Sequence, residues 1–337
     1  MFDDLLPVHG GHLHWAAKRF NIPYEEWLDL STGINPDGWA VPQLSPECWL
    51  RLPQENDGLE VAAAQYYGSQ QLLPVAGSQA AISKLPLLRR PSRVGVISPG
   101  YSEHARSWQS AGHEVVALNV DDIDEHLAEL DVLVVINPNN PTGKVIPIQQ
   151  LNRWLQALQQ RKGWLVIDEA FMDVTPEQSM IDQIGNEGLI ILRSLGKYFG
   201  LAGVRVGFVF GWEKLLQDLN ELFDPWSISG PAREVARRAL EDQQWQSVNS
   251  HHLQGVGQCL AELLKERGLR PDGGTSLFQY CKTESAEKLF HELAEQGILV
   301  RYFSDPMALR FGLPAKSGST GEDPWTRLKV ALDNIDI

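Results

Sequence analysis

Short apolar runs alternate with amphipathic runs through the middle of this chain, and that alternation predicts an α/β fold with a mostly parallel central sheet flanked by helices. The runs at 94–98, 115–118, 132–136, 164–168, 189–193 and 205–210 are rich in Val, Ile and Leu, as strands buried on both faces require. From residue 229 the pattern changes to a long helical stretch ending at 268, then strands at 277–281, 298–302 and 307–312 with two more helices, which predicts a smaller α+β C-terminal domain.

At 337 residues and 37.7 kDa the chain can bury a sizeable core in one large or two moderate domains. The pattern divides it into an N-terminal arm, 1–36, that joins the small domain, a large domain over 37–228 and a small domain over 229–337. Its 43% hydrophobic and 21% charged composition is that of a folded enzyme. The formal net charge of -14 argues against nucleic acid or an anionic membrane as partner, because either polyanion would be repelled. An anionic substrate must therefore be met by local arginines. Cys48, Cys259 and Cys281 are scattered and lack CxxC spacing, so neither a disulfide framework nor a zinc site is expected. The start, Met1-Phe2-Asp3-Asp4, is acidic, and no apolar run approaches membrane-spanning length, which makes the cytoplasm the expected location.

His9-Gly10-Gly11-His12-Leu13-His14 opens the arm. Three histidines so close suggest a metal, but no fourth ligand stands nearby, and no metal is expected. The segment reads either as a loop before a short helix near 15–20 or as a backbone cradle for an anion beside His9 and Gly10. Leu28-Asp29-Leu30-Ser31-Thr32-Gly33-Ile34-Asn35-Pro36 runs from a strand into a turn, where Pro36 holds Asn35 extended. Residues 37–57 have no period and read as irregular structure before a helix at 58–67. A strand at 72–76 then meets Gly77-Ser78-Gln79, which either caps a helix or offers its free backbone N–H groups to an anion. The helix expected over 147–160 places Ile148, Leu151, Trp154, Leu155 and Leu158 on one face, with Pro147 in its first turn.

Chemistry-bearing residues fall just past the strands, where an open α/β sheet binds ligands. After 132–136 comes Asn137-Pro138-Asn139-Asn140-Pro141-Thr142-Gly143, in which the prolines make a rigid turn that can aim the Asn140 amide at a ligand. After 164–167 comes Asp168-Glu169-Ala170-Phe171, and a carboxylate at the end of a buried strand needs a cationic partner. After 96–98 comes Pro99-Gly100-Tyr101, whose ring can stack on a planar ligand or simply join the core. An ATPase reading of Asp168-Glu169 lacks its phosphate loop: Lys144 and Lys197 follow glycine but precede Val145 and Tyr198.

The fourth element is Ser194-Leu195-Gly196-Lys197-Tyr198-Phe199-Gly200-Leu201-Ala202-Gly203-Val204-Arg205. Lys197 in apolar and glycine surroundings is costly as a cation and serviceable as a nucleophilic amine toward a carbonyl; the bland alternative is a surface lysine between strands. An aldehyde cofactor is the natural partner, with Ser194 and Arg205 flanking it as phosphate ligands. Taken with the Asn-Pro-Asn-Asn-Pro-Thr-Gly turn and the strand-end Asp168, this stretch resembles the class I/II aminotransferase superfamily of pyridoxal 5'-phosphate (PLP) enzymes. The resemblance extends from about residue 30 to 313. It implies the PLP-dependent transferase fold type I, with Lys197 condensing with the aldehyde, Asp168 pairing with the ring nitrogen, Asn140 contacting the ring oxygen and Tyr101 stacking. It further implies Ser78, Gln79, Ser194 and Arg205 as ligands of the cofactor phosphate, Arg310 as the clamp on a substrate carboxylate, and a homodimer.

Within that superfamily two departures stand out: Phe171 replaces a usual tyrosine, and Leu52 follows Arg51 where histidinol-phosphate aminotransferases carry a tyrosine. His-Gly-Gly at 9–11, Ser-Thr-Gly-Ile-Asn-Pro at 31–36, Asp-Glu-Ala-Phe-Met-Asp at 168–173 and Leu-Arg-Phe-Gly-Leu-Pro at 309–314 resemble the threonine-phosphate decarboxylases of cobalamin synthesis. That resemblance implies a small phosphorylated amino-acid substrate, L-threonine O-3-phosphate, with His9, Gly10, Asn35 and Arg301 as further candidates for holding its phosphate or carboxylate. A histidinol-phosphate-type aminotransferase is the alternative. A PLP-fold binding protein without turnover is a third reading, opposed by the intact Lys197, Asp168, Asn140 and Arg205.

Overall fold

The computed structural model describes residues 9–318 and 321–335; the acidic start, Met1 to Asp4, lies outside them. In chain order the strands are β1 (Leu28–Leu30), β2 (Leu72–Val75), β3 (Arg93–Ile97), β4 (Glu114–Leu118), β5 (Val132–Ile136), β6 (Trp164–Asp168), β7 (Leu189–Ser194), β8 (Gly207–Phe210), β9 (Gly273–Thr275), β10 (Phe278–Lys282), β11 (Ile298–Ser304) and β12 (Met307–Gly312). Two compact units result: Trp39–Asn140 with Lys144–Val248, and a smaller one made of the arm to Gly38, Pro141–Gly143 and the chain from Asn249 onward.

The larger unit is built on a seven-stranded sheet in the order β2-β8-β7-β6-β5-β3-β4. Only β8 runs against its neighbours, β2 and β7; the other pairings are parallel. Strands β5, β6 and β7 are buried along their whole length, which is why each reads as an unbroken apolar run rather than an alternating one. One face of the sheet meets Ala81, Ile82, Leu85, Trp108, Leu215 and Leu219 from the flanking segments, packed against Val94, Val134, Val166 and Ile190. From β4 the chain returns past β3 to form β5, then continues outward through β6 and β7. Strand order therefore reverses between β3 and β5, and the carboxyl ends of β3, β5, β6 and β7 share one edge of the sheet.

The helix Ile148–Gln159 buries Leu151, Trp154, Leu155 and Leu158 as its spacing predicts, but Pro147 stands before it as an extended N-cap residue (ψ 145°). Within the stretch 37–57, read as irregular, Glu47–Leu50 forms one helical turn. The strand expected from 205 begins at Gly207, because Arg205 adopts the left-handed conformation (φ 57°, ψ 53°) that no strand accommodates. The helical stretch after 229 is two helices, Gly230–Glu241 and Gln243–Glu266, broken at Asp242 (φ -83°, ψ 73°). Gly230–Glu241 belongs to the larger unit.

The smaller unit carries a five-stranded sheet in the order β1-β11-β12-β10-β9. Strand β1 from the arm pairs in parallel with β11, setting Leu30 opposite Val300, while β10, β11 and β12 are antiparallel and set Arg310 between Arg301 and Tyr280. Leu289, Phe290 and Leu293 of the helix Ala286–Glu295 are buried in this unit. Residues Leu28–Leu30 of the arm are thereby part of this sheet.

Candidate active site

In the larger unit the strand-end residues are fixed by their neighbours. Asp168 closes β6, opposite Ile136 on one side and Leu192 on the other, and is 4% exposed. Its two oxygens are engaged separately: Oδ1 accepts from the Ala170 N–H (3.0 Å) and Oδ2 is 2.9 Å from Nε2 of buried His104. His104 escapes a sequence reading because a lone histidine on a helix is unremarkable. The available signal was its spacing, one helical turn after Tyr101 on the helix Ser102–Ser110.

Tyr101 donates its hydroxyl to Gln79 Oε1 (3.0 Å), and burial pushes its pKa up to about 12, with Glu103 and Asp168 adding to the effect. The Gln79 side chain is thus committed to Tyr101, leaving its backbone as the group available to an anion. The Asn137 amide is spent on both backbone groups of Ile146 (2.8 and 3.3 Å), and Asn139 donates to the Pro99 carbonyl (3.0 Å). The Asn137 bonds close the turn after β5, the Asn139 bond ties it to the turn after β3, and half-buried Asn140 follows Asn139 within it.

Ser194 ends β7, and its Oγ accepts from the Gly196 N–H (3.2 Å), bending the chain into the lysine loop. The Lys197 ammonium stands over the Phe171 ring, 5.5 Å from its centre, where a cation is stabilised by the ring face. Arg205 is exposed, in its left-handed conformation, and Nη1 donates to the Ala202 carbonyl (3.3 Å). A Cβ at Gly77 would lie 2.6 Å from Arg205 Nη2 and 2.9 Å from Cζ, so the absence of a side chain at Gly77 is what admits the guanidinium. Gly77 also has φ 76°, a conformation suited to glycine. Arg205, Ser194 and the backbone after Gly77 supply the donors that a phosphate needs. Buried Asp168 supplies an acceptor for a cationic ring nitrogen and Lys197 an amine for an aldehyde, so the residues present fit PLP.

Behind this edge lies a buried cluster. Arg193 (2% exposed) pairs with Glu169 (3.0 Å) and Asp173 (3.5 Å) and stacks over Tyr67. Glu169 also accepts from Ser179 Oγ (2.6 Å) and the Met180 N–H (3.1 Å). The cluster braces the segment that follows Asp168 against β7. Neither carboxylate was singled out from the sequence.

In the smaller unit, Arg310 is buried and donates to the Ser31 carbonyl (2.8 Å). Ser31 Oγ donates to Asp29 Oδ1 (2.6 Å) and accepts from the Gly11 N–H (2.7 Å), which secures the arm. Burial and the charge of Arg301 push Arg310 down to about 9, against an opposing effect of Asp29. Burial lowers Arg301 as well. His9, Gly10 and Arg301 line one cleft with Ser31 and Tyr302, whereas His14 stacks on Tyr24, 4.5 Å between ring centres. The buried Asn35 amide donates to Asn249 Oδ1 (3.2 Å) and accepts from the Asp37 N–H (3.1 Å), so it shapes the turn at the end of the arm. This unit therefore sets Arg301 and Arg310 opposite one another on neighbouring strands, with His9 and Arg301 at one cleft and Asp29 half-buried on β1.

The family described as aminotransferase class I and II matches residues 29–333. Threonine-phosphate decarboxylase of Pseudomonas aeruginosa is 49% identical over 324 residues, 96% of each chain. The protein of the same name from a Sinorhizobium species is 39% identical over 338 residues, 98% of each chain. Among solved structures, histidinol-phosphate aminotransferase of Sinorhizobium meliloti in complex with pyridoxal-5'-phosphate matches with a TM-score of 0.80 at 19% identity, covering 98% of this chain and 94% of that one.

Proposed function

The chain belongs to the aminotransferase class I and II family, and from that premise we propose that it is a PLP-dependent lyase. It decarboxylates L-threonine O-3-phosphate to (R)-1-amino-2-propanol O-2-phosphate and CO2 in cobalamin biosynthesis, working as a cytoplasmic homodimer. The observation that carries this reading is the near full-length similarity, at 49% and 39% identity, to two proteins named threonine-phosphate decarboxylase.

When bound, PLP supplies an electron sink for the carbon that loses CO2. Ser194, Arg205 and the backbone at Ser78 and Gln79 would hold its phosphate, Asp168 its ring nitrogen, Asn140 its ring oxygen and Tyr101 its face. His104 and the Ala170 N–H keep the Asp168 carboxylate from rotating, which fixes the negative charge where a protonated ring nitrogen needs it. With PLP bound, Lys197 Nζ would be the amine that holds its aldehyde group and the group that carries a proton to the substrate. Phe171 beneath it offers a π face and no hydroxyl, so within this pair the amine is the proton-bearing group.

Substrate recognition falls to the smaller unit. Arg310 would clamp the carboxylate, with Arg301, His9, Gly10 and Asn35 as candidates around the phosphate. Arg301 and Arg310, opposite one another on neighbouring strands, suit a ligand that brings more than one anionic group. For the homodimer, exposed Val61 and Trp226 line one groove of the larger unit together with Glu55, Glu60, Asp224 and Arg233, a mixed surface that a second copy would cover.

The test is PLP-loaded protein with L-threonine O-3-phosphate and no keto-acid acceptor, recording CO2 and amine product together. Equal CO2 and amine with continued turnover support the decarboxylase. No CO2, with histidinol phosphate converting the cofactor to its amine form, would replace it with the aminotransferase.

A further inference from the structure

The break between the helices Gly230–Glu241 and Gln243–Glu266 grips the lysine loop. Phe199 stacks on Trp245 with ring centres 5.5 Å apart and planes at 19°, and Tyr198 meets the same indole edge-on at 5.5 Å. The Tyr198 hydroxyl donates to the Gln246 carbonyl (2.6 Å). On the other side the Trp39 N–H donates to the Phe199 carbonyl (2.8 Å), and Trp39 Nε1 donates to Asp242 Oδ2 (3.0 Å). Asp242 Oδ1 accepts from the Trp245 N–H (3.0 Å), while Gln246 Nε2 donates to the Ala239 and Leu240 carbonyls (3.0 and 2.9 Å). Each of the two residues after Lys197 is therefore held by its ring, and each also by a hydrogen bond, to Trp39 and the helix break. All of these groups lie in the larger unit.

We infer that Trp245 is a positioning residue: with Tyr198, Phe199, Trp39 and Asp242 it fixes the turn after Lys197, so that the amine keeps one location over Phe171. The inference rests on the proposed role of Lys197. A lysine that first holds an aldehyde carbon and later returns a proton must find the same place twice, in a loop that contains Gly196 and Gly200 and has little stiffness of its own. Misplacement by about 1 Å is enough to cost on the order of a hundredfold in rate. Packing alone predicts something different: loss of the indole would lower thermal stability and leave the chemistry of the amine where it was.

The wild type, Trp245→Leu, Trp245→Phe, Tyr198→Phe and Lys197→Ala are each loaded with PLP and followed by absorbance against pH, by thermal unfolding and by steady-state assay with L-threonine O-3-phosphate. In Trp245→Leu the midpoint of the absorbance titration should move by about one pH unit and kcat should fall about ten- to a hundredfold, with KM within about threefold. Trp245→Phe, which keeps a ring on Phe199, should recover most of both. A folded Trp245→Leu with unchanged midpoint and kcat would overturn the inference. Should Trp245→Leu fail to fold, Tyr198→Phe carries the test: a shifted midpoint supports the inference and an unmoved one refutes it. A wild type that borohydride does not link covalently to PLP, or a Lys197→Ala that is still linked at that loop, instead strikes the reading of Lys197 itself, and the inference falls with it.

Discussion

Replacing Asp173 by asparagine should reshape how stability depends on pH. Asp173 is 4% exposed, shares Arg193 with Glu169, accepts from the Tyr66 hydroxyl (3.3 Å), and leaves Oδ2 without a partner. Burial pushes its pKa up to about 6, against the attraction of Arg193 and with Glu169 adding to the rise. Because the folded value exceeds the unfolded one, the native state takes up the proton more readily. The stability this confers is full below about pH 4 and is lost as pH rises toward about 6. At about 1.36 kcal/mol for each tenfold, the span from about 3.9 to about 6 amounts to about 3 kcal/mol. Asparagine mimics the protonated acid: its Oδ1 can accept from Tyr66 and Arg193, while its Nδ2 replaces the unpartnered oxygen and leaves a donor unsatisfied, at a cost of about 1–2 kcal/mol. The stability of Asp173→Asn minus that of the parent should therefore climb by about 3 kcal/mol between about pH 4 and 6, then level off. Urea unfolding of both proteins, cofactor-loaded alike, measures it, and the contribution of Asp29, which burial also raises, cancels in the difference. A flat difference, or one that falls with pH, would refute a native Asp173 that prefers its proton.

Three further substitutions probe the site. His104→Ala frees one oxygen of Asp168, which should weaken PLP binding and shift the absorbance of the bound cofactor, while His104→Gln, still able to donate, should restore part of both; equilibrium titration with PLP gives the result. Gly77→Ala places a Cβ against the Arg205 guanidinium at a positive φ, so PLP affinity should fall by about tenfold or more, with a stability loss of about 1 kcal/mol. Arg310→Ala removes the buried guanidinium that donates to Ser31 and should raise KM for L-threonine O-3-phosphate and lower turnover, consistent with about 3 kcal/mol for a lost charged contact; unchanged kinetics would remove it from the site.

The parts of this fold that were legible in the sequence are those where one physical demand acts alone. Strands β5, β6 and β7 are buried on both faces, so their composition has no second purpose to serve, and their ends could be read within a residue or two. Where two demands compete, the pattern misleads. Arg205-Val206 reads as the start of a strand, yet Arg205 takes a left-handed turn beside Gly77, a contact made with a residue far back in the chain. Nothing between 229 and 268 marks Asp242 as a break, since Asp242 is followed by good helix formers and its role appears only when Trp39 and Trp245 converge on it. Lys197, Asp168 and Arg205 were visible because their residue types are costly where they stand. His104, Glu169 and Asp173 were not, because what makes them informative is their partners rather than their positions.

An acidic chain that takes an anionic substrate must overcome its own charge. A net charge of -14 repels it at long range, although salt screens that repulsion beyond about 8–10 Å. At short range the smaller unit reverses the sign, and it does so at a cost: burial and Arg301 bring Arg310 down to about 9, so its charge is held against desolvation with Asp29 as the opposing carboxylate. A substrate carboxylate would relieve that cost, and a phosphate near Arg301 would lessen the repulsion between the two arginines. In this reading, discrimination between L-threonine O-3-phosphate and unphosphorylated threonine would draw on the placement of Arg301 and Arg310 on neighbouring strands.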